Sequence, residues 1–279
     1  VEAISKWKNA LVTGGASGLG LGFTIRLLRR GVQVTVLGRK IPPEVRAQLD
    51  RAAASGATNW LPLVADVTDE VRIGGLIASA AAKTGTFDLV IHCAGVALNR
   101  AFSKTSHEDF RRLININLIG SFNLASAVIP HMNQGSRLAL VASMAGITSN
   151  YAYSAYSASK FGVVGLATTL RYEYEPRGIS ISCICPPEVR TPMVVEERSP
   201  GNHDEIALVL KDMAGSLDLD SAVDSMLAQL DRGRWMIIPG IAAKLVAATF
   251  RYLPFVHFAV THYIVRRELR KQKRAASLP

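Results

Sequence analysis

Ser143, Tyr156 and Lys160 have the types and spacing to move a proton onto a carbonyl oxygen. Tyr156 and Lys160 fall within "YSASKFGVVGLATTL", which reads as helix, so the phenol and the ammonium share one face, one turn apart. A phenol at its ordinary pKa of about 10 is a poor acid–base group near neutrality. A neighbouring ammonium stabilises the phenolate and lowers that value. Ser143 ends a separate apolar run and can donate to a carbonyl oxygen, while Tyr156 supplies the proton as hydride reaches the carbon. Asn117, an amide inside an apolar helical stretch, is a candidate to hold the water that refills this relay through Lys160. Taken singly, each residue is explained as well by surface or packing. The ordered set gains meaning only if the chain also binds a hydride donor.

Leu11 to Gly20, "LVTGGASGLG", supplies that part. An apolar run ends at Val12, Thr13 and Gly14 break it, and helical periodicity begins near Leu19. Gly14, Gly18 and Gly20 let backbone amides and a helix N-terminus come close to an anion, with Ser17 and Leu19 in the same turn. A dinucleotide pyrophosphate is the usual guest at the first crossover of a doubly wound sheet. No Lys-Ser or Lys-Thr pair opens the helix, so this is not a nucleoside-triphosphate loop.

The elements that must position these groups follow as strand–helix units. A helix is expected from Leu19 to Arg30 with Leu21, Ile25 and Leu28 inward, then a strand from Val32 to Leu37. No acid follows that strand. Gly38 offers no side chain to repel a phosphate, and Arg39, with Lys40 beside it, offers a bidentate donor, which favours NADP over NAD. Pro42 and Pro43 open the next helix. Strand three, Trp60 to Val64, leads to Asp66 and Val67; the Asp66 carboxylate suits either an adenine amino group or a helix cap. Strand four, Phe87 to Cys93, runs into Ala94 and Gly95, small enough to pass beside a ribose; His92 is read as a structural strand-end residue. Glu108 to Met132 is helical, Leu138 to Ala142 and Ile179 to Ile184 are strands, and 192–215 is the expected substrate lid. A helix from Leu219 to Leu230, capped by Asp218 or Asp220, and a short strand at Trp235 to Ile238 complete a domain over 1–240.

The chain has 279 residues, 49% of them apolar, and a formal charge of +10. That length suits one large α/β domain. Six basic residues against Glu268 alone lie between Arg266 and Arg274, behind a stretch from Ala242 to Val265 rich in Leu, Val, Phe and Tyr. Pro254 interrupts that stretch, and no unbroken apolar run in it reaches the roughly 20 residues a membrane span needs. Two uses remain open for 241–279: an interfacial anchor with cations at anionic headgroups, or a helical cap over the cleft or a subunit contact. Nucleic acid is not an expected partner, since the tail lacks interleaved aromatics and no recognition helix is evident. Cys93, Cys183 and Cys185 suggest neither a disulfide framework nor a metal site, and Cys183 and Cys185 are expected on opposite faces of their strand. The segment before the first strand shows no secretory pattern, so the expected location is cytoplasmic, peripheral on a membrane face if the anchor reading holds.

In these motifs the chain resembles the short-chain dehydrogenase/reductase family, from about Lys8 to at least Gly240. The family pattern TGxxxGxG falls on Thr13, Gly14, Gly18 and Gly20, and its catalytic Asn, Ser, Tyr and Lys on Asn117, Ser143, Tyr156 and Lys160. Asp66 matches its adenine-binding acid, and Tyr156 and Lys160 also meet the cofactor. The resemblance adds Pro186, Val189 and Thr191 to the cofactor contacts, Thr191 at the carboxamide. Two departures stand out: Cys93-Ala94-Gly95 where the family has Asn-Ala-Gly, which removes an amide that braces the strands, and Pro186-Pro187 where it has Pro-Gly.

Several stretches are most similar to 3-ketodihydrosphingosine reductases and their bacterial relatives, among them "AYSASKFGVVGLATTLRYEYEPRGISIS", Thr191-Pro192, Glu196-Glu197 and "GRWMIIPG". Where that group carries an acidic run after the double proline, this chain has Glu188-Val189-Arg190-Thr191. The resemblance implies an α/β fold with a doubly wound, mostly parallel, Rossmann-type sheet and a C-terminal helical extension. It also implies an NADP(H)-dependent carbonyl reductase for a bulky apolar ketone, such as a 3-ketosphinganine-like lipid, assembled as a homodimer or homotetramer. A hydroxysteroid or retinoid-type dehydrogenase, and a dinucleotide-binding regulatory protein without turnover, are the alternatives.

Overall fold

The first strand, β1 (Asn9–Thr13), is buried along its whole length, as an apolar strand covered by helices on both faces must be. The computed structural model describes residues 6–199 and 203–276. The segment before the first strand is therefore described only from residue 6; residues 200–202 of the expected lid and 277–279 of the tail lie outside the described residues.

From β1 the chain alternates through α1 (Gly18–Arg29), β2 (Gln33–Gly38), α2 (Pro43–Ser55), β3 (Trp60–Val64), α3 (Glu70–Thr84) and β4 (Phe87–His92). Pro43 occupies the first turn of α2, where its missing amide costs no helical hydrogen bond. Asp69, not Asp66, caps α3 by accepting from the Arg72 amide at 3.1 Å. The second half holds α4 (His107–Leu113), a π-helical turn at Ile114–Ile119, α5 (Gly120–Val128), β5 (Met132–Val141), α6 (Ser154–Tyr174) and β6 (Ser180–Ile184). Then come β7 (Glu188–Val189), α7 (Pro192–Glu197), α8 (Glu205–Ala214), β8 (Ser216–Leu217), α9 (Leu219–Asp231) and β9 (Met236–Ile237). Asp218 caps α9.

Seven strands form one sheet in the order β3-β2-β1-β4-β5-β6-β9, all neighbours parallel. The direction of winding reverses between β1 and β4. In a doubly wound sheet that reversal opens a crevice at the carboxyl ends of the strands, where ligands bind. Thr13, Gly38, His92 and Val141 all end strands at that edge.

Helices cover both faces. One core layer joins Phe23, Leu27 and Leu28 of α1, Leu49 of α2 and Val223, Met226 and Leu227 of α9. Within α1 the inward stripe differs from the expected one: Phe23, Leu27 and Leu28 are fully buried, while Leu21 and Ile25 only flank the layer. The opposite layer joins Ile73 and Ile77 of α3, Leu124 and Val128 of α5, and Val163 and Ala167 of α6. Cys183 and Cys185 both point into this second layer, with sulfurs 3.7 Å apart. The expectation of opposite faces fails because side chains two apart on a strand share a face. The helical run His107–His131 is long and apolar enough to cross a membrane, yet it packs against α3 and α6 as a core helix does.

After the sheet, α10 (Ile241–Tyr252) and α11 (Pro254–Ala276) pack on each other and on α8. Pro254 opens α11, so the break expected at the proline is a helix start. Among the described residues of this pair only Ala243 and Ile264 are buried, whereas Leu245, Phe255, Phe258, Val260 and Tyr263 are exposed.

Candidate active site

The turn between β1 and α1 is a backbone cradle. Gly14 and Gly18 adopt positive φ, +64° and +48°, which side-chain-bearing residues rarely hold. A Cβ on Gly20 would stand 2.2 Å from the Gly14 carbonyl oxygen, so only glycine lets the helix start so close to the turn. Ser17 is the N-cap residue of α1, but its side chain makes no capping bond, and no acid lies in the first turn. The first amides of the helix thus face the crevice with their partial positive charge unanswered by a side chain, which suits a pyrophosphate. Leu19 packs on the core beside the turn, and Thr191 reaches the turn from across the crevice, near Gly18.

Strands β1 and β4 are braced here without the amide that Cys93 replaces. The Thr13 carbonyl accepts from the Cys93 amide at 3.2 Å, and its hydroxyl oxygen accepts from the Ala94 amide at 3.2 Å. The same hydroxyl shares a hydrogen bond with Nδ1 of His92 at 2.7 Å. His92 is 1% exposed, and burial together with the Lys160 charge drives its pKa down to about 3. It is a neutral strand-end residue, as expected. Burial pushes the Cys93 thiol well up, so Cys93 is a small neutral side chain too.

Ser143 follows β5, and the first turns of α6 carry Tyr156 and Lys160. Lys160 donates to the Val141 carbonyl at 3.0 Å and stands 5.8 Å from the centre of the Tyr156 ring. Gly146 must be glycine to let this happen, because a Cβ there would lie 2.6 Å from the Lys160 carbonyl oxygen. Lys160 is buried, which lowers its pKa to about 8. Burial pushes the Tyr156 phenol up to about 12; a hydrogen bond with Ser143 opposes that shift and the Glu197 carboxylate adds to it.

Asn117 joins the cluster through the π-helical turn, a local widening common at functional sites. Its side chain accepts from the Val96 amide at 2.8 Å and donates to the Val96 carbonyl at 3.0 Å and to Ser159 Oγ at 2.9 Å. Both amide hydrogens of Asn117 are thereby used, and they clip the Gly95–Val96 loop to α6. A Cβ on Gly95 would lie 3.1 Å from Asn117 Oδ1 and 3.5 Å from Lys160 Nζ, so the small residue is required at that clip.

The other expected cofactor residues surround the same edge. Arg39 and Lys40 are exposed beyond β2, and a Cβ on Gly38 would meet nothing closer than 3.5 Å. Asp66 Oδ1 accepts from the Thr68 amide at 2.9 Å and its hydroxyl at 2.8 Å, which makes a turn ahead of α3. Val67 is buried against Gly120, and its carbonyl accepts from Asn123 at 3.1 Å. The Pro186 carbonyl accepts from Met144 at 2.9 Å, tying the loop after β6 to the Ser143 turn, and Val189 is buried in β7.

One group of residues has no local signal in the sequence. Tyr153, three residues before Tyr156, donates to Glu197 of α7, and Lys211 of α8 binds Glu197 at 2.9 Å and Glu188 of β7 at 2.6 Å. Arg198 adds Glu188 at 2.8 Å and Asp212 at 2.6 Å. These residues come from separate elements that only the folded chain assembles.

A family model described as short chain dehydrogenase matches residues 8–202. A 3-dehydrosphinganine reductase of Arabidopsis thaliana, TSC10B, is 30% identical over 237 residues, 83% of this chain and 70% of that protein. Oxidoreductase UcpA of Escherichia coli O157:H7 is 32% identical over 222 residues, 78% of this chain and 83% of that one. Among solved structures, a short-chain dehydrogenase from Sphingobium yanoikuyae in complex with NADPH superposes with a TM-score of 0.72 at 25% identity, covering 89% of this chain and 95% of that one. Others of the same fold hold NAD.

Proposed function

The chain belongs to the short-chain dehydrogenase family, and from that premise we propose that it is an NADP(H)-dependent carbonyl reductase for a bulky, apolar ketone. The observation that carries this reading is the convergence of Ser143, Tyr156 and Lys160 beside an uncapped glycine cradle at the carboxyl edge of the sheet. In this reading 1–240 is the catalytic domain, with its lid at about 192–215, and 241–279 is a helical cap with a basic tail.

The cradle fits a dinucleotide. Gly14, Gly18 and Gly20 with Ser17 and Leu19 would hold the pyrophosphate, Asp66 and Val67 the adenine end, and Cys93, Ala94 and Gly95 one ribose. Pro186, Val189 and Thr191 would hold the nicotinamide end. Arg39 and Lys40, with no acid at the end of β2, support NADP(H) through a phosphate on the adenosine ribose. When bound, the reduced cofactor supplies hydride to the carbonyl carbon.

The chain's own residues do the rest. Ser143 Oγ donates to the carbonyl oxygen and holds the charge that develops there. Tyr156, kept protonated by burial, gives its proton to that oxygen. The Lys160 ammonium stabilises the phenolate left behind and binds ribose hydroxyls. Asn117 fixes the Gly95–Val96 loop beside Lys160.

A lipid-like substrate, such as a 3-ketosphinganine, draws support from the apolar lid helices and from the likeness to a 3-dehydrosphinganine reductase. The exposed apolar face of α10 and α11, followed by the basic run to Arg274, suits peripheral contact with an anionic membrane surface. Phe110, Ile119, Phe122 and Phe161 are exposed on the helices that carry Asn117 and Tyr156 and on the elements beside them, which suits a homodimer or homotetramer. A panel of lipid, steroid and small ketones, scored by NADPH oxidation, tests the reading. Activity confined to small polar ketones would remove the substrate class, and no turnover on any ketone with cofactor bound would remove the enzyme.

A further inference from the structure

Glu197 in the lid and Glu188 in β7 are carboxylates with side chains only 7% and 4% exposed. Carboxylates so buried persist only when paired and hydrogen-bonded. Lys211 supplies the pairing for both, 2.9 Å from Glu197 Oε2 and 2.6 Å from Glu188 Oε2, and Arg198 supplies a second cation to Glu188. The remaining Glu197 oxygen, Oε1, accepts from the Tyr153 hydroxyl. Tyr153 is 5% exposed, and its ring lies 5.4 Å from that of Tyr156, tilted by 48°. The Lys211 ammonium stands 5.8 Å from the Tyr153 ring. A chain of direct contacts therefore runs from the lid to the phenol: Lys211, Glu197, Tyr153, Tyr156.

We propose that Glu197 is a positioning residue for proton transfer, holding Tyr156 in place through Tyr153 and, balanced by Lys211, setting the electrostatic potential at the phenol oxygen. This rests on the reading of Tyr156 as the proton-transfer group. Because Glu197 lies on α7 and Lys211 on α8, that potential depends on the two lid helices being packed together. Lid packing and the acidity of the phenol are thus one variable.

The charges around the phenol set the sign. Facing Tyr156 are Lys160 on its own helix, Ser143 after β5, Cys185 after β6, and Tyr153 with Glu197 behind it. Facing Tyr153 and Glu197 are Lys211 and, beyond it, Glu188. Glu197 disfavours the phenolate and is among the causes of the raised Tyr156 pKa. Removing its charge should make the phenolate easier to form, and removing Lys211 should make it harder.

Alcohol oxidation reads this directly, because there the phenolate is the base and the rate rises with pH through its formation. Glu197→Gln keeps an acceptor for Tyr153 and removes the charge, so the acidic limb of the oxidation profile should move to lower pH by on the order of one unit. Lys211→Met should move it to higher pH. Opposite shifts, with cofactor Kd within about twofold of wild type, are the signature that a purely structural network does not produce. Both limbs staying in place, or both moving the same way, overturns the proposal. Variants that lose cofactor binding assign the network to the fold and overturn it as well. Tyr156→Phe, run alongside, separates the two readings: if it retains turnover, the proton-transfer reading fails, whereas its inactivity beside unshifted Glu197 and Lys211 profiles removes only this inference.

Discussion

Lys160 sits one turn after Tyr156 on α6, its ammonium 5.8 Å from the ring centre, and its own hydrogen bond goes to the Val141 carbonyl at 3.0 Å. The ammonium is thus anchored to the end of β5, beside the phenol ring. Burial weakens both ions, holding Lys160 to about 8 and raising Tyr156 to about 12, so the pair is neutral phenol with ammonium below pH 8.

From that arrangement the pH dependence of ketone reduction follows. The phenol stays protonated across the working range, and the group that changes is Lys160. Its lowered pKa means the ammonium is present below about 8 and lost above it, leaving Tyr156 a weaker acid. Reduction kcat/KM should be level on the acid side and fall through about pH 8. A profile flat through pH 9, measured under cofactor saturation, would contradict this assignment.

Tyr156→Phe keeps the ring and removes the proton. Turnover should fall at least about a hundredfold with NADPH affinity little changed. Ser143→Ala should cost roughly 2–4 kcal/mol of transition-state stabilisation, the scale of one lost oxyanion donor, read as kcat/KM. A Tyr156→Phe enzyme near wild-type rate would demand a different acid.

Cofactor choice turns on the end of β2. Arg39→Ala should raise the Kd of NADPH far more than that of NADH. Gly38→Asp should move preference toward NADH, and the open space around Gly38 lets the side chain fit without a clash. Fluorescence titration of both cofactors decides it; a wild-type protein that binds NADH more tightly would sink the NADP assignment.

Two glycines offer a contrast in stability. Gly20→Ala drives a Cβ against the Gly14 carbonyl, so it should destabilise by about 1–3 kcal/mol and weaken cofactor binding. Gly74, in α3, has nothing within 4 Å of its Cβ position. Gly74→Ala should stabilise by up to about 1 kcal/mol through helix propensity. Thermal unfolding of both variants checks the pair, and equal effects would refute the packing argument.

The C-terminal pair exposes Leu245, Phe255, Phe258 and Tyr263 ahead of the basic run. The protein should co-sediment with anionic vesicles and release partly as salt rises, since screening weakens the cations and leaves the apolar contribution. Deleting residues after Val265 should reduce vesicle binding and spare activity on a short, water-soluble ketone. Indifference to anionic lipid at low salt would leave the segment as a cap on α8 alone.

Much of this molecule was legible in the chain itself. The glycine turn, the parallel strands and the Ser143, Tyr156 and Lys160 set are local patterns: a backbone turn that needs glycine, apolar runs that need cover on both faces, and a helical spacing that stacks two side chains. The absent acid after β2 was legible for the same reason, because a strand end is a fixed place in a βαβ unit. The inward face of α1 falls on Phe23 and Leu27 instead of Leu21 and Ile25, because the sheet they meet selects the buried stripe and periodicity alone does not.

Other features exist only in three dimensions. Asn117 was visible as a buried amide, but its partners Val96 and Ser159 depend on a π-helical turn and a loop from another strand. The Tyr153–Glu197–Lys211–Glu188 chain joins α6, α7, α8 and β7, and no spacing along the sequence relates those residues. Local patterns decide backbone and periodicity, which act over a few residues. Burial and long-range pairing decide charge and acidity, because the low dielectric that makes Glu197 matter to Tyr156 is created by the packing of the whole domain.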